Sequence, residues 1–505
     1  MKRILNLLII FILIFLLSST LYSQVPSIDL TILHINDFHG RLLPYTVKSI
    51  SEKIPVSGVA YLAQMINEER SKNPEGTILL SAGDMFQGTP QSNIFRGEPV
   101  VEIMNYLKFD AMAVGNHEFD WGQEVLQKLS SISNFPYLSA NIVDKDGKYL
   151  PYLKPYVIIE RKGIKIAIIG LTTPETAYIT KPDYVKDLKF LDPVEILPNI
   201  IDDVRNKGAN LVVVLSHLGF DADKELAEKV SGIDVIVGGH SHTVVTNPVV
   251  VRGVIITQAG YNGIYLGVLE IKIQPETNII LGYTRENELK TVFAGPENKF
   301  DEKVAQIVDK YNSQLKEEFA KVVGETLVDL VRNYNEESNV GNVICDAMRE
   351  AVSADIAFQN SGGIRTDIQK GPITMELVYT LLPFDNVLVT MDLTGKQILQ
   401  LLEQSATLQK GILQQSGLKV KYDMTKPVGQ RVVEVFVGDK PLELDKVYKV
   451  VTNDFLAAGG DNFVTFKEGK NLVYGDMLRD VFIEYLKKHS PISPKVEGRS
   501  IIIIK

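Results

Sequence analysis

Five short apolar runs in the first half of the chain each lead into residues that can bind a metal ion. The run 111–114 reads as a buried strand and is followed by Gly115-Asn116-His117-Glu118. The carboxyl ends of strands in an α/β sheet share one edge, so the five motifs are predicted to form one site. The other four runs are 30–35, 77–80, 211–215 and 233–237, followed respectively by Asp37 and His39, by Asp84, by His217, and by His240 and His242.

The candidate ligands are carboxylate, amide and imidazole groups without a thiolate. This set suits Zn²⁺, Mn²⁺ or a related divalent ion, and its size indicates two ions about 3.5–4 Å apart. Two-residue spacing would let Asp37 and His39, and likewise His240 and His242, point the same way from an extended chain. One histidine after a strand is usually a turn residue, but five of the seven histidines fall in these motifs. Scattered structural use does not explain that clustering.

The composition narrows the class of protein. The chain has 505 residues, 45% hydrophobic and 23% charged, which is typical of a globular protein with at least two domains. Its net charge is −9 and it has no basic run, so binding to a nucleic-acid polymer is not expected. Cys345 is the only cysteine, which excludes an internal disulfide and indicates a small core residue. His34 and His489 lie outside the motifs and are predicted to be structural.

The first 23 residues have the layout of a secretory signal. Lys2 and Arg3 precede an apolar run over 4–17, and small and polar residues continue to Ser23. The apolar run is short for a membrane-spanning helix, although an uncleaved anchor is the alternative. We therefore predict export to the periplasm, the cell surface or the medium, without stable membrane insertion after cleavage.

The remaining chain is predicted to contain two α/β domains joined by a helix. Strand and helix patterns alternate over 24–295, and closely spaced strands over 243–285 indicate a second, more antiparallel sheet there. Apolar residues recur at three- and four-residue steps over 296–323, which predicts an amphipathic linker helix. Mixed strands and helices fill the second domain, 324–505.

Together, these motifs resemble the calcineurin-like metallophosphoesterases. Phe119-Asp120-Trp121-Gly122 and the C-terminal half further resemble the 5′-nucleotidase / UDP-sugar hydrolase family. The resemblance covers essentially the whole mature chain. It implies a first domain made of a double-sheet sandwich flanked by helices, and a second domain that rotates against it about the region of the linker helix.

The resemblance also implies roles for the motif residues. One metal ion would be held by Asp37, His39 and His242. The other would be held by Asn116, His217 and His240, with Asp84 bridging the two. His117 would stabilise charge at the phosphate, oriented by Asp120, which agrees with the attraction between an imidazolium and a phosphoryl oxygen. The nucleophile would be a metal-activated water, because no serine or cysteine lies in an evidently activated setting.

The second domain contains candidate nucleotide contacts. Asn360-Ser361-Gly362-Gly363-Ile364-Arg365 combines glycines that let a ligand approach the backbone with a side chain that binds phosphate or carboxylate. Phe384 and Phe455 adjoin polar or glycine residues and could be core residues or a clamp for a flat base. The resemblance implies that both rings stack on the base, and that Asn360, Gly363 and Arg365 hold the nucleotide.

Two further contacts follow from the resemblance. Asp461 would contact the ribose hydroxyls. The family also has an arginine shortly before Asn339, but Glu336 stands about where it is expected. Arg332 is the nearest candidate for that function.

The sequence thus predicts an exported dinuclear-metal phosphohydrolase that releases phosphate from nucleoside 5′-monophosphates. UDP-sugar hydrolysis is left open as a second activity. The alternatives are a 2′,3′-cyclic-nucleotide phosphodiesterase/3′-nucleotidase of the same fold, a catalytically decayed nucleotide-binding protein and, more distantly, a thiosulfate-ester hydrolase. The sequence leaves the oligomeric state open.

Overall fold

The computed structural model describes residues 27–47, 49–286 and 288–504. The predicted signal sequence, residues 1–23, lies outside the described residues. None of the described helices combines the length and the apolar character needed to cross a membrane.

Two sheets form the core of the first domain. Their facing sides are apolar, and residues from both, such as Leu30, Ile32, Ile168 and Val213, are fully or almost fully buried in one cluster between them. In spatial order, the first sheet consists of Ile279–Tyr283, Tyr265–Gln274, Ile28–Ile35, Thr77–Ser81, Ala111–Ala113 and Tyr137–Leu138, with Leu289–Thr291 also paired to Tyr265–Gln274. The second sheet consists of Val249–Val251, Val254–Gln258, Val235–Gly238, Leu211–His217, Ile164–Thr172 and Tyr156–Arg161.

The prediction that the strands over 243–285 form a second, more antiparallel sheet is wrong. Val254–Gln258 joins the second sheet, parallel to Val235–Gly238. Tyr265–Gln274 instead pairs antiparallel with Ile28–Ile35 and extends the first sheet. Each strand has an apolar inner face, and burying that face in the core shared by the two sheets separates strands that are neighbours in sequence.

Helices cover the outer faces of both sheets because their apolar residues recur at helical spacing. In Val59–Lys72, for example, Val59, Leu62, Ala63 and Ile66 are buried on one side. A small sheet pairs Ile142–Asp144 with Leu188–Phe190. The other helices of the first domain are Pro90–Ile94, Glu98–Leu107, His117–Phe119, Gly122–Ile132, Thr176–Ile179, Pro182–Val185, Pro193–Asn206 and Phe220–Lys229.

The linker helix is shorter than the predicted span of 296–323 and comprises Glu302–Phe319. Asp301 begins it, because its carboxylate accepts a hydrogen bond from the backbone N–H of Val304 at 2.9 Å. At the other end, the ring of Phe319 packs against that of Tyr379 in the second domain, with 5.2 Å between the ring centroids. The face that packs into the first-domain core consists of Val304, Ile307, Val308 and Tyr311.

The second domain is built around a five-stranded mixed sheet. Ile356–Asn360 runs parallel to Val447–Asn453, so both strands end at the edge that faces the first domain's strand ends. Cys345 is fully buried, as predicted, and burial raises the pKa of its thiol. In spatial order, this sheet consists of Leu413–Ser416, Ile356–Asn360, Val447–Asn453, Val387–Thr394 and Lys470–Met477.

The rest of the second domain surrounds this sheet. The other strands are Lys440–Pro441, Val432–Val437, Leu418–Asp423 and Ser500–Ile503 in a second sheet, and Val322–Thr326 with Gly371–Thr374 as a separate pair. The helices are Asn339–Val352, Ser361–Gly363, Met375–Leu381, Gly395–Ser405, Asp454–Ala457, Gly460–Asn462, Val464–Glu468 and Leu478–His489.

Candidate active site

Carboxylates and imidazoles converge in two neighbouring groups where strands of both first-domain sheets end. Within each group the possible ligand atoms lie within 4.8 Å of one another. Asn116 is buried close by, in the segment that also carries His117. The first group is Asp37, His39 and His242, and the second is Asp84, His217 and His240.

The loops that carry these residues are tight turns, not extended chain. The expectation that two-residue spacing on extended backbone aligns Asp37 with His39 and His240 with His242 is therefore wrong. The backbone φ angles are 48° at Asp37, 51° at His39, 54° at Asp84, 72° at His240 and 55° at His242. This left-handed region is costly for residues with a Cβ and is characteristic of functional sites. These turns bring the ligand side chains together, and the alternation of side chains along an extended strand does not.

The histidine rings are held with one nitrogen directed into the site. His39 Nδ1 lies 2.9 Å from the Gln87 carbonyl oxygen, and His217 Nδ1 lies 2.6 Å from that of Ala82. A ring whose Nδ1–H donates to a carbonyl presents Nε2 as a lone pair, which is the arrangement of a metal ligand. Among the described residues, the buried Asn116 Oδ1 has no hydrogen-bond partner. Asp37 Oδ1 and His217 Nε2 face other candidate ligands, His242 Nε2 at 3.3 Å and Asp84 Oδ2 at 3.0 Å. Groups of this chemistry fit two divalent cations.

The charges within the site are consistent with that fit. Burial, together with the charge of His242, holds the pKa of His39 well below its usual range. Burial and then His217 lower the pKa of His240 to about 4, so both rings are neutral, as ligands must be. Burial opposes protonation of His217 as well, but the Asp84 carboxylate, whose Oδ2 lies 3.0 Å from His217 Nε2, raises its pKa to about 10. Nε2 therefore carries a proton when no metal ion is bound, and a bound cation would take the place of that proton.

Glu118 is a structural element of the site that the sequence did not reveal. It is almost fully buried, and its carboxylate accepts three backbone N–H groups, from Asp84 at 2.9 Å, Met85 at 2.8 Å and Gly115 at 2.6 Å. It joins the loop carrying Asp84 to the loop carrying Asn116. The sequence shows Glu118 beside His117, but it does not show the backbone groups that Glu118 contacts, because the fold brings these to it.

His117 and Asp120 form a pair at the edge of the two groups. His117 Nδ1 lies 2.6 Å from Asp120 Oδ2. Burial lowers the pKa of His117, but the carboxylates of Asp120 and Asp84 outweigh it, so the pKa is raised. The His117 ring centroid is 5.3 Å from that of His39 and 5.9 Å from that of Phe384 in the second domain. The pair thus faces both the candidate ligands and the second domain.

A cavity of about 500 Å³ lies between the two domains. Its lining includes Asp84, Asn116, His117, Asp120, His240 and His242 from the first domain. From the second domain it includes Asn360, Gly363, Arg365, Phe384, Phe455 and Asp461. The fold therefore joins strand ends from both domains so that predicted residues of each domain line one space.

Within the cavity, the second-domain residues are also in contact with one another. Asn360 Nδ2 donates to Asp461 Oδ2 at 3.1 Å. Burial raises the pKa of Asp461 to about 6, although the hydrogen bond from Asn360 opposes this. The Arg365 guanidinium lies 5.9 Å from the Phe384 ring centroid. These contacts hold polar groups beside an aromatic ring, which suits a ligand with both a flat and a polar part.

One predicted nucleotide contact does not line the pocket, and several residues that do line it were not anticipated. Arg332 is exposed, and it borders a separate groove together with Glu336. Tyr334 and Lys410 line the cavity but were not proposed as site residues. Their signal was weak, because an isolated tyrosine or lysine in a loop is ordinary surface composition.

The two histidines outside the motifs have the structural surroundings that were predicted. His34 is fully buried, with Nε2 at 2.5 Å from Glu288 Oε1, and Glu288 also accepts from the Thr257 hydroxyl at 2.5 Å. His489 contacts Glu350 at the surface, at 3.0 Å.

Comparison with known proteins agrees with this geometry. The calcineurin-like phosphoesterase family matches residues 30–244, and the 5′-nucleotidase C-terminal domain matches residues 321–468. Snake venom 5′-nucleotidase from Crotalus adamanteus is 34% identical over 94% of this chain and 89% of its own length. This chain belongs to the 5′-nucleotidase family. It is accordingly a metal-dependent phosphoric ester hydrolase, and the predicted family and fold class are confirmed.

Two further comparisons concern the fold and the extent of the chain. The crystal structure of a 5′-nucleotidase precursor from Thermus thermophilus superimposes with a TM-score of 0.87, at 36% identity, covering 95% of this chain and 100% of that one. The trifunctional nucleotide phosphoesterase protein YfkN of Bacillus subtilis is 34% identical over 93% of this chain, which corresponds to 35% of that longer protein.

Proposed function

We propose that this member of the 5′-nucleotidase family is an exported hydrolase that releases phosphate from nucleoside 5′-monophosphates with two divalent metal ions, Zn²⁺ or Mn²⁺. The observation that carries the proposal is the single cavity that is lined by candidate metal ligands of one domain and candidate nucleotide contacts of the other. We propose domain boundaries at 24–295, 296–323 and 324–505. Export rests on the signal-like residues 1–23 and accords with a relative named for snake venom.

The metal ions would be held by the two ligand groups. Asp37, His39 and His242 would hold one, and Asn116, His217 and His240 the other, with Asp84 between them. When bound, such a pair neutralises phosphate charge and lowers the pKa of a water molecule toward neutrality. The contacts of His39 and His217 with backbone carbonyls fix the ring orientations, so the protein supplies the geometry before any ion binds.

His117 would stabilise negative charge that develops on the phosphoryl oxygens. Its raised pKa favours the protonated ring, which can donate a hydrogen bond to an anionic oxygen. Asp120 accepts from the opposite ring nitrogen at 2.6 Å and so fixes the direction of the remaining N–H. Removal of a charge-stabilising donor of this kind costs a factor of about 10²–10³ in kcat.

The second domain would bind the nucleoside. Phe384 and Phe455 would stack on the base, and Asp461 with Asn360 would bind the ribose hydroxyls. Gly363 would let the ligand approach the backbone, and Arg365 would bind the phosphate. Arg332, which borders a separate groove, would have to move to reach the nucleotide.

A panel of substrates tests this proposal. The purified metal-loaded chain is incubated with 5′-AMP, 3′-AMP, 2′,3′-cyclic AMP and UDP-glucose, and phosphate release is measured, with a coupled phosphatase for UDP-glucose. The proposal expects 5′-AMP to have the highest kcat/KM, and turnover of UDP-glucose would establish the second activity. A preference for the cyclic or 3′ substrate would assign the protein to that alternative. Binding of AMP without any turnover would favour a decayed enzyme.

A further inference from the structure

The second domain holds both ends of a short piece of the first domain, residues 175–181, here called the bridging segment. At its start, Lys410 Nζ lies 2.5 Å from Glu175 Oε2. At its end, Lys181 Nζ donates to Asp454 Oδ2 at 2.7 Å. The Asp454 side chain is 6% exposed, so this ion pair is better shielded from solvent than a surface pair.

Thr180 and Lys181 direct their side chains to opposite sides. Both have non-helical backbone between two single-turn helices, with φ −115° and ψ 172° at Thr180 and φ −59° and ψ 115° at Lys181. Pro182 follows and disfavours helical backbone at Lys181. Because successive side chains on an extended chain alternate, Lys181 reaches the second domain while Thr180 faces inward. The Thr180 hydroxyl is buried and donates to Asp120 Oδ1 at 3.2 Å.

Asp454 also connects the loop that carries Phe384 with the single-turn helix Asp454–Ala457 that carries Phe455, here called the phenylalanine segments. Its Oδ1 accepts a hydrogen bond from Asn386 Nδ2 at 2.8 Å. Asn386 lies two residues after Phe384, and Asp454 immediately precedes Phe455. The carboxylate that binds Lys181 therefore also sets the relative position of the two phenylalanine segments.

We propose that Thr180 and Lys181 are positioning residues through which docking of the phenylalanine segments fixes the orientation of His117. The inference rests on the proposed hydrolase function. Lys181 holds the bridging segment against Asp454. Thr180 donates a hydrogen bond to Asp120 Oδ1, and His117 contacts the other oxygen, Oδ2. Asp120 in turn fixes the His117 ring. A carboxylate held through both oxygens has one orientation, whereas one held through a single oxygen can rotate and carry His117 with it.

Kinetics of three variants test the proposal. Thr180→Val keeps the side-chain shape without the hydroxyl, Lys181→Met keeps length without charge, and the third variant combines them. Each single change is expected to lower kcat for 5′-AMP about tenfold with little change in KM, since a small misplacement of a catalytic group is costly. The double variant should be no slower than Thr180→Val, because both act through one path. Lys181→Arg should restore most of kcat.

A purely structural contact between the domains would give different kinetics. Lys181→Met would then raise KM and leave kcat unchanged, or the two single effects would multiply in the double variant. Either result would overturn the proposal. Lys229→Met is the matched control, because Lys229 pairs with Glu225 of its own helix in the first domain. It should match the parent.

Tryptophan fluorescence gives a readout that does not need turnover. Trp121 is the only tryptophan of the chain and follows Asp120. Arg96 lies over its ring at 5.6 Å and pairs with Asp385 of the second domain at 2.8 Å. We expect adenosine to shift the Trp121 emission of the metal-loaded parent and of Lys229→Met, but not of Lys181→Met.

Kinetics and fluorescence together distinguish a failure of the proposed function from a failure of the role proposed for the bridging segment. A parent that shows the adenosine-dependent shift but no release of phosphate from 5′-AMP would refute the proposed function alone. A Lys181→Met variant that keeps the full shift and the parent's kcat would refute the role of the bridging segment alone.

Discussion

The Nε2 atoms of His39 and His242 face each other at 3.2 Å, and Asp37 Oδ1 lies 3.3 Å from the latter. Two ring nitrogens and a carboxylate oxygen directed at one point form a ready place for a cation. Four segments that are distant in sequence contribute to it or to its neighbouring group, so the fold and the metal site depend on each other.

Metal binding should therefore stabilise the protein. Metal present at about 100 times its Kd should add about 2.7 kcal/mol to the free energy of unfolding, because the ligands are assembled only in the folded chain. Thermal unfolding with and without a chelator measures this. Elemental analysis should find two ions per chain in the parent and in His489→Ala, and fewer in His242→Ala. Equal metal content in all three would contradict the assignment of the first group.

Replacement of Glu118 by glutamine should destabilise the fold and weaken metal binding. The carboxylate accepts three backbone N–H groups on its two oxygens, and an amide would turn its NH₂ toward at least one of them. An unsatisfied buried donor costs about 1–3 kcal/mol. Denaturant unfolding measures the loss, with exposed Glu124→Gln as the control. An unchanged midpoint would show that the two loops do not depend on this carboxylate.

The aromatic residues should affect nucleotides and not simple phosphate esters. Phe384→Leu and Phe455→Leu should each raise KM for 5′-AMP about tenfold or more, because stacking on a base contributes about 1–3 kcal/mol. Hydrolysis of p-nitrophenyl phosphate should change little. Phe300→Leu serves as the control, since Phe300 is 47% exposed and lies outside the cavity lining. If AMP and the aryl phosphate lose activity equally, the rings do not contact the base.

Asp461 should make nucleotide binding depend on pH. Burial raises its pKa to about 6, so the carboxyl is mostly protonated at pH 5 and ionised at pH 7.5. The ionised form is the better acceptor for ribose hydroxyls, so KM for 5′-AMP should fall as pH rises through this range. Asp461→Asn cannot ionise and serves as reference, because the phosphate of AMP titrates equally in both proteins. A KM ratio between variant and parent that is constant with pH would exclude this role.

The strand ends could be predicted from sequence because the signal is local. Each apolar run reads as a buried strand, and the carboxyl ends of parallel strands meet at one edge of a sheet. The strands that precede Asp84 and His217 could be predicted from their own residues, without knowing which strands pair with them. Helical spacing of apolar residues likewise predicted the helix around 302–319. It did not predict the ends of that helix, because several polar residues near Asp301 could equally cap it.

What escaped prediction depends on contacts between distant segments. Glu118 acquires its role from a loop more than thirty residues earlier, and Lys181 from an aspartate in the other domain. Asp and His adopt left-handed backbone more often than most residues with a Cβ, but the turns at Asp37 and His240 are set by the packed loops around them and could not be located from residue type alone. Contacts that form only in the folded chain follow no regular spacing in the sequence.

The most direct test is the rate of phosphate release from 5′-AMP by the metal-loaded parent, by His117→Ala and by His489→Ala. If the two-domain cavity is the catalytic site, chelator abolishes turnover by the parent, His117→Ala lowers kcat by about 10²-fold or more, and the surface variant His489→Ala matches the parent. Full activity of His117→Ala in folded, metal-loaded protein would contradict the assignment of this cavity as the site of phosphate hydrolysis.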